Sequence, residues 1–201
     1  MLHLHTMDYL MFATGFLGAW TLLHLAHRLS LAWRTAPSVS CHFSPKGGCT
    51  EAIVQEIRKA RHEILVLAYS FTNRPIAQAL VDAKVRGVHV EILLDHSNEK
   101  EPHTDLHFFM EQSLAPLVDA HHPIAHNKVL VIDSRTLVTG SFNFTNEAEN
   151  ANAENLLILK GHPELIVAYR KNFGDHKAHS RTPVIQAAAP GTVPHPQHRA
   201  A

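Results

Sequence analysis

The chain has no surplus of charge of either sign: 18 Lys and Arg stand against 18 Asp and Glu in 201 residues. That balance excludes a histone-like protein that holds nucleic acid by bulk charge, and leaves only a local basic patch open. Cysteine is scarce as well. Cys41 and Cys49 alone cannot build a disulfide scaffold. They read as free thiols, with a disulfide or a small metal site around His42 and Gly47-Gly48 as alternatives. There is no internal repeat and no long apolar insertion that could form an acyl channel. The length accommodates one domain with appendages, not two catalytic halves. Histidine, by contrast, is abundant at 18 residues. Most of these cannot be catalytic, and together they would charge the chain steeply below about pH 6.5.

Three parts follow along the chain. Residues 9–27 contain no Asp, Glu, Lys or Arg, and the apolar stretch from Tyr9 to Leu23 is 15 residues long. Arg28 and Arg34 follow it, so a retained membrane anchor with the downstream domain on the cytoplasmic side is expected, with Trp20 and Trp33 at the interfaces. A cleaved export signal, or a buried or amphipathic helix, is the alternative. Residues 37–181 alternate between strand and helix patterns. Strands are expected at Val39–Phe43, Ile64–Phe71, Val88–Leu94, Pro116–Val118, Lys128–Ile132, Leu137–Thr139 and Leu156–Leu159. Helices are expected at Thr50–Arg61, Pro75–Arg86, Asp105–Gln112 and Pro163–Phe173. The pattern predicts an α/β domain, a mixed β-sheet flanked by helices. Residues 182–201, with four prolines and one charge, read as a disordered tail.

Chemistry concentrates between residues 126 and 155. In His126-Asn127-Lys128-Val129-Leu130-Val131-Ile132-Asp133, alternation along a strand sets His126 and Lys128 on one face and Asp133 on the other. An imidazole beside an ammonium suits a phosphodiester: the ring nitrogen can attack phosphorus while the cation holds a non-bridging oxygen. Gly140-Ser141-Phe142-Asn143-Phe144-Thr145 then offers Ser141 and Asn143 as hydrogen-bond donors on one face. A carboxylate such as Glu154, in Asn152-Ala153-Glu154-Asn155, could accept the second ring N–H of His126 and fix its tautomer.

These elements, HNKVLVID, GSFNFT and NAEN, resemble the phospholipase D superfamily, whose signature is His-x-Lys-x4-Asp followed by Gly-Ser/Thr-x-Asn. FSPKGGCTEAIVQEI and ILVLAYSFTNRPIAQALVDAKVRGVHVEILLD extend the likeness over about residues 41–176, toward the small single-motif nuclease branch. That branch holds a bacterial endonuclease and a mitochondrial-surface phospholipase D-like member. The resemblance implies His126 as nucleophile, forming a covalent phosphohistidine. It implies Lys128 and Asn143 on the phosphate oxygens, Ser141 beside them, and Glu154 orienting the histidine. Asp133 would tie the motif to neighbouring backbone. No cofactor or metal is implied for the chemistry.

In-line double displacement needs a proton donor on the leaving-group side, yet only one His-x-Lys-x4-Asp is present. A homodimer with one composite site on its axis is therefore expected, as in the resembling branch. The expected substrate is single-stranded DNA or RNA; a phospholipid head group, or a non-catalytic binding module on the same fold, is the alternative. Ser70-Phe71-Thr72 is expected near the pocket. His121 and His122 read as loop residues with a possible substrate contact, and His162, His176 and His179 as surface histidines.

Overall fold

Two strands are apolar almost throughout, and that property sets the architecture. β2 (Glu63–Ala68) and β5 (Lys128–Ile132) are buried at nearly every position, so both of their faces must be covered. Their side chains divide by parity, as the two-residue period of a strand requires. Ile64, Val66 and Ala68 of β2 join Leu130 and Ile132 of β5 in one core cluster. Leu65 and Leu67 join Val129 and Val131 in a second. The computed structural model describes residues 36–184 together with Trp20, Thr21 and Leu23.

The remaining elements arrange themselves around this pair. They are β1 (Ser38–Ser44), α1 (Cys49–Lys59), α2 (Arg74–Val85), β3 (His89–Asp95), a 3-10 turn (His96–Glu99) and α3 (Leu106–Glu111). After them come β4 (Leu117–Asp119), β6 (Thr136–Gly140), α4 (Asn146–Asn150), β7 (Glu154–Lys160) and α5 (Pro163–His179). The strands form a seven-stranded sheet in the order β1-β7-β6-β5-β2-β3-β4. β2, β3 and β4 run parallel, while β2, β5, β6 and β7 alternate in direction. The sheet is thus mixed, as the sequence predicts. Ile53 and Ile57 of α1, Ile76 and Leu80 of α2 and Phe109 of α3 cover one face. Ile166 and Phe173 of α5 cover the other.

Local sequence explains the element ends. The Asn73 side chain caps α2 by accepting from the Ile76 N–H, with a proline in the first turn, where its missing N–H costs nothing. Two features depart from the sequence pattern. α5 runs on to His179 instead of ending at Phe173, because its last turn is held by polar contacts that leave no apolar trace. α4 was not expected, since five residues, four of them polar around the buried Ala148, are too short to show a period. Cys41 is exposed, Cys49 is buried, and both are free thiols. Burial pushes the Cys49 thiol up to about 11, which keeps it protonated and inert.

The expected anchor at 9–27 lies outside the described residues except for Trp20, Thr21 and Leu23. Among the described residues no helix is long and apolar enough to cross a membrane. Of the expected tail, residues 182–184 are described, and Arg181 and the Val184 N–H both engage the Glu99 carboxylate.

β5 is pinned at its far end by Asp133. Its carboxylate accepts from the backbone N–H groups of Arg61 at 2.9 Å, His62 at 2.7 Å and Glu63 at 2.9 Å, while its own N–H donates to the Glu63 carbonyl. Asp133 and Ser134 both adopt positive φ, 51° and 52°, in a turn whose handedness matches the twist of the paired strands. Burial alone would raise the Asp133 carboxyl; the three N–H donors outweigh it and hold the group below the usual carboxylate range. Asp133→Ala is expected to lower the unfolding free energy by about 1–3 kcal/mol at neutral pH. Because the folded group titrates below the unfolded one, the wild-type advantage is complete above about pH 4 and fades as pH falls through the folded value. Denaturant unfolding of both proteins across pH 2 to 7 checks this; an equal gap at all pH values would refute the clamp.

Candidate active site

Strand direction brings the chemistry-bearing residues to one edge of the sheet. With β5 antiparallel to β2, Ala68 pairs with Lys128, so the start of β5 meets the end of β2. With β6 and β7 each reversed, Gly140 pairs with Leu156, so the end of β6 meets the start of β7. His126 and Lys128, Ser141 and Asn143, and Glu154 come from three different chain segments and arrive at this edge. Asp133 lies past the opposite end of β5, where its carboxylate engages the backbone.

Tyr69 organises the histidine–lysine pair. Its N–H donates to the Asn127 carbonyl at 2.9 Å, which sets its ring against the motif. The ring centroid is 4.4 Å from that of His126, with an interplanar angle of 53°, and 5.0 Å from Lys128 Nζ. His126 is exposed and Lys128 buried. Lys128 Nζ donates to the carbonyl of His126 at 2.8 Å. Burial lowers the Lys128 ammonium to about 8, against the opposing pull of the Glu154 carboxylate. The sequence reading missed Tyr69, although it ends the apolar β2 run immediately before the expected Ser70-Phe71-Thr72.

Ser141 and Glu154 form a second unit. The serine hydroxyl donates to Glu154 Oε2 at 2.6 Å and accepts from the Asn155 N–H at 3.0 Å. Asn152 Nδ2 donates to Glu154 Oε1 at 3.1 Å. Both carboxylate oxygens are therefore engaged, and no hydrogen bond joins Glu154 to His126. The expected orienting contact is replaced by a serine–glutamate bond, with Glu154 acting on Lys128 through charge. Gly140 makes this geometry possible. Its φ is 153°, and a Cβ there would meet the Asn155 carbonyl oxygen at 2.2 Å.

Asn143 is fixed by its neighbours. Phe142 and Phe144, one on either side, are both fully buried, and each such ring contributes about 1.5–3 kcal/mol. The Phe144 carbonyl also accepts from the N–H groups of Thr72 and Asn73 at 2.9 and 3.0 Å. The Asn143 Oδ1 atom is buried with no hydrogen-bond partner, so the side chain keeps unused capacity at the site. Thr145 caps α4 by accepting from the Ala148 N–H. Glu149 of that helix accepts from the N–H groups of Gly48 at 3.0 Å and Thr50 at 2.7 Å. A carboxylate at the start of α1 complements the helix dipole and ties the Gly140–Asn150 segment to that helix. Glu149 too escaped the sequence reading.

A cleft of about 520 Å³ opens beside Tyr69, lined by Ser70, Thr72, Ser97, Asn98, Thr145 and Asn146, with Glu101, His103 and Glu147 also on its wall. Ser70 and Thr72 line this cleft, which adjoins the motif through Tyr69 and has no motif residue on its wall, while Phe71 is fully buried in the core.

Residues 53–177 match the family model described as cardiolipin synthase, PLD-like domain. The chain belongs to the phospholipase D superfamily. A protein named phospholipase D from Rickettsia bellii is 42% identical over 140 residues, covering 70% of this chain and 69% of that one. A mitochondrial cardiolipin hydrolase from Chlamydomonas reinhardtii is 27% identical over 66% of this chain and 59% of its own length. The crystal structure of Nuc from Salmonella typhimurium, a phospholipase D family member, superimposes with a TM-score of 0.70. It is 34% identical over 73% of this chain and 98% of that one. The chain is a phosphodiesterase of this superfamily.

The depressed Lys128 value carries a pH signature. Free enzyme with a neutral lysine lacks its phosphate-holding cation, so kcat/KM on a chromogenic phosphodiester should fall as pH rises through about 8. Lys128→Arg, which stays charged, should remove that limb even where its rate is low. A limb that persists unchanged in the arginine variant would assign it to another group.

Proposed function

We propose that this phosphodiesterase is an endonuclease that cleaves single-stranded DNA or RNA without a catalytic metal, through a covalent phosphohistidine on His126. The cleft beside Tyr69 carries the reading. Its hydroxyl, amide and carboxylate side chains offer hydrogen bonds to bases and sugars, and the Tyr69 ring a face on which a base can stack. Glu101 and Glu147 repel phosphate, so the scissile phosphate would sit at His126 and Lys128 while a neighbouring base enters the cleft. The Rickettsia relatives named phospholipase D favour a second reading, hydrolysis or transfer of a phospholipid head group.

In the proposed reaction a His126 ring nitrogen attacks phosphorus and forms a P–N bond as the bond to the leaving oxygen breaks. That oxygen takes a proton from the same histidine of a second copy. Water then attacks phosphorus, giving its proton back to that second imidazole, and the P–N bond breaks to release the phosphate end. Lys128 and Asn143 hold the non-bridging oxygens, and Ser141 and Glu154 steady the approach. The exposed Ile124, two residues before His126, supplies apolar surface where a twofold partner would meet the site. In this reading residues 9–27 anchor the domain to a membrane, with the site on the cytoplasmic side.

Full-length protein with excess chelator, at a temperature where circular dichroism reports the folded state, should cut labelled single-stranded DNA or RNA. His126→Asn should reduce the rate by at least about a thousandfold. Head-group release from phospholipid micelles without nucleic-acid cleavage would instead select the second reading. The composite site has its own test. When wild type is exchanged with excess His126→Asn, activity should fall as the square of the wild-type fraction; a linear fall would leave each chain self-sufficient.

A further inference from the structure

Four residues outside the histidine–lysine motif converge on one point, farther along the same edge of the sheet, beyond β3. Asp119 ends β4, His122 follows in the loop, and His176 and His179 occupy the last turn of α5 at a spacing of three, which sets them on one helix face. One carboxylate oxygen, Asp119 Oδ2, lies 2.9 Å from His122 Nδ1, 2.6 Å from His176 Nδ1 and 3.3 Å from His179 Nε2. The four candidate ligand atoms all lie within 4.8 Å of one another. The Asp119 side chain is only 1% exposed and that of His176 12%. These residues are not the scattered surface histidines that their spacing in the sequence suggests.

We propose that Asp119, His122, His176 and His179 form a structural zinc site that fastens the loop leading to His126 onto the end of α5. Three imidazoles aimed at a single oxygen of a buried carboxylate are poorly satisfied as they stand, since three N–H donors crowd one acceptor. A divalent cation at their centre takes three nitrogen lone pairs and one carboxylate oxygen, and neutralises the buried charge. Tetrahedral zinc with bonds of about 2.0–2.1 Å requires ligand atoms about 3.3 Å apart; the contacts to Oδ2 run from 2.6 to 3.3 Å and the whole set lies within 4.8 Å, so small side-chain rotations would seat the ion. An imidazole-rich set selects zinc over calcium or magnesium, and four protein ligands close the site, as in structural rather than catalytic zinc.

The surroundings are built to hold the set. The other Asp119 oxygen accepts from the N–H groups of His121 at 3.0 Å and His122 at 3.3 Å, fixing the carboxylate from behind. Val118 and Arg181 exchange backbone hydrogen bonds of 2.8 and 3.0 Å, which lock the exit of α5 to the strand that delivers Asp119. Farther along the loop, the Ala125 N–H donates to Asp95 Oδ2 at 2.7 Å. The metal would hold one end of the segment that presents His126 and Asp95 the other. The inference concerns folding of the loop and is independent of which phosphodiester the enzyme cuts.

The test uses untagged full-length protein, stripped of metal and then titrated with zinc. One equivalent per chain should bind and raise the melting temperature, and cobalt should give the intense visible bands of a tetrahedral site. His122→Gln and His176→Gln should each weaken binding at least about tenfold and lose the cobalt bands, whereas His121→Ala should keep both. His122 is a partly exposed loop residue, so its variant separates loss of the metal from loss of the fold, with circular dichroism as the control. No zinc-dependent rise in melting temperature overturns the proposal, as does stoichiometric binding that survives both glutamine substitutions. Nucleic-acid cleavage is not a readout here, so a chain that binds zinc but cuts no nucleic acid would sustain this inference and sink only the nuclease reading.

Discussion

The catalytic edge depends on a clamp at the other end of the sheet. β5 is buried on both faces, so its apolar pattern alone scarcely distinguishes the correct register from one displaced by two residues. Asp133 removes that ambiguity by capturing three successive backbone N–H groups at the entry to β2. With that end fixed, strand geometry carries the registration through Lys128 opposite Ala68 and delivers His126 beside Tyr69. The spacing between lysine and aspartate in the motif is thus the length of one strand, with chemistry at one end and its registration at the other.

The site divides its demands between exposure and burial. His126 must reach a substrate and is exposed; Lys128 is buried and gains electrostatic strength from lost solvent. The cost of desolvating the ammonium is only partly offset by the Glu154 charge, and the group's value falls to about 8; the His126 carbonyl and the Tyr69 ring face hold it in place. Asn143 achieves its position differently. It is carried between two buried phenylalanines, so core packing fixes a polar group that has few hydrogen bonds of its own.

The sheet, the helices with apolar faces, and the residues His126, Lys128, Ser141, Asn143, Glu154 and Asp133 were legible because each leaves a periodic or motif-like trace. The role of Asp133 as a backbone clamp was legible too. Contacts between distant segments were not. Glu154 lies near His126 in the motif logic, yet the local turn turns it toward Ser141 and Asn152. Tyr69 reads as the end of an apolar run, and only strand pairing reveals the ring against the imidazole. Glu149 and the last turn of α5 are polar at every informative position, and nothing in their spacing announces the partners that β1–α1 or β4 bring to them.

One hydrogen bond gives the resting site a second meaning. Lys128 Nζ donates to the carbonyl of His126, the very residue whose ring it stands beside. The ammonium carries three protons, so an arriving anion meets donors that the carbonyl has not used. Occupancy and local tethering are therefore compatible: one proton aims the ammonium from the backbone of the nucleophile's own residue, and the others face whatever enters the site.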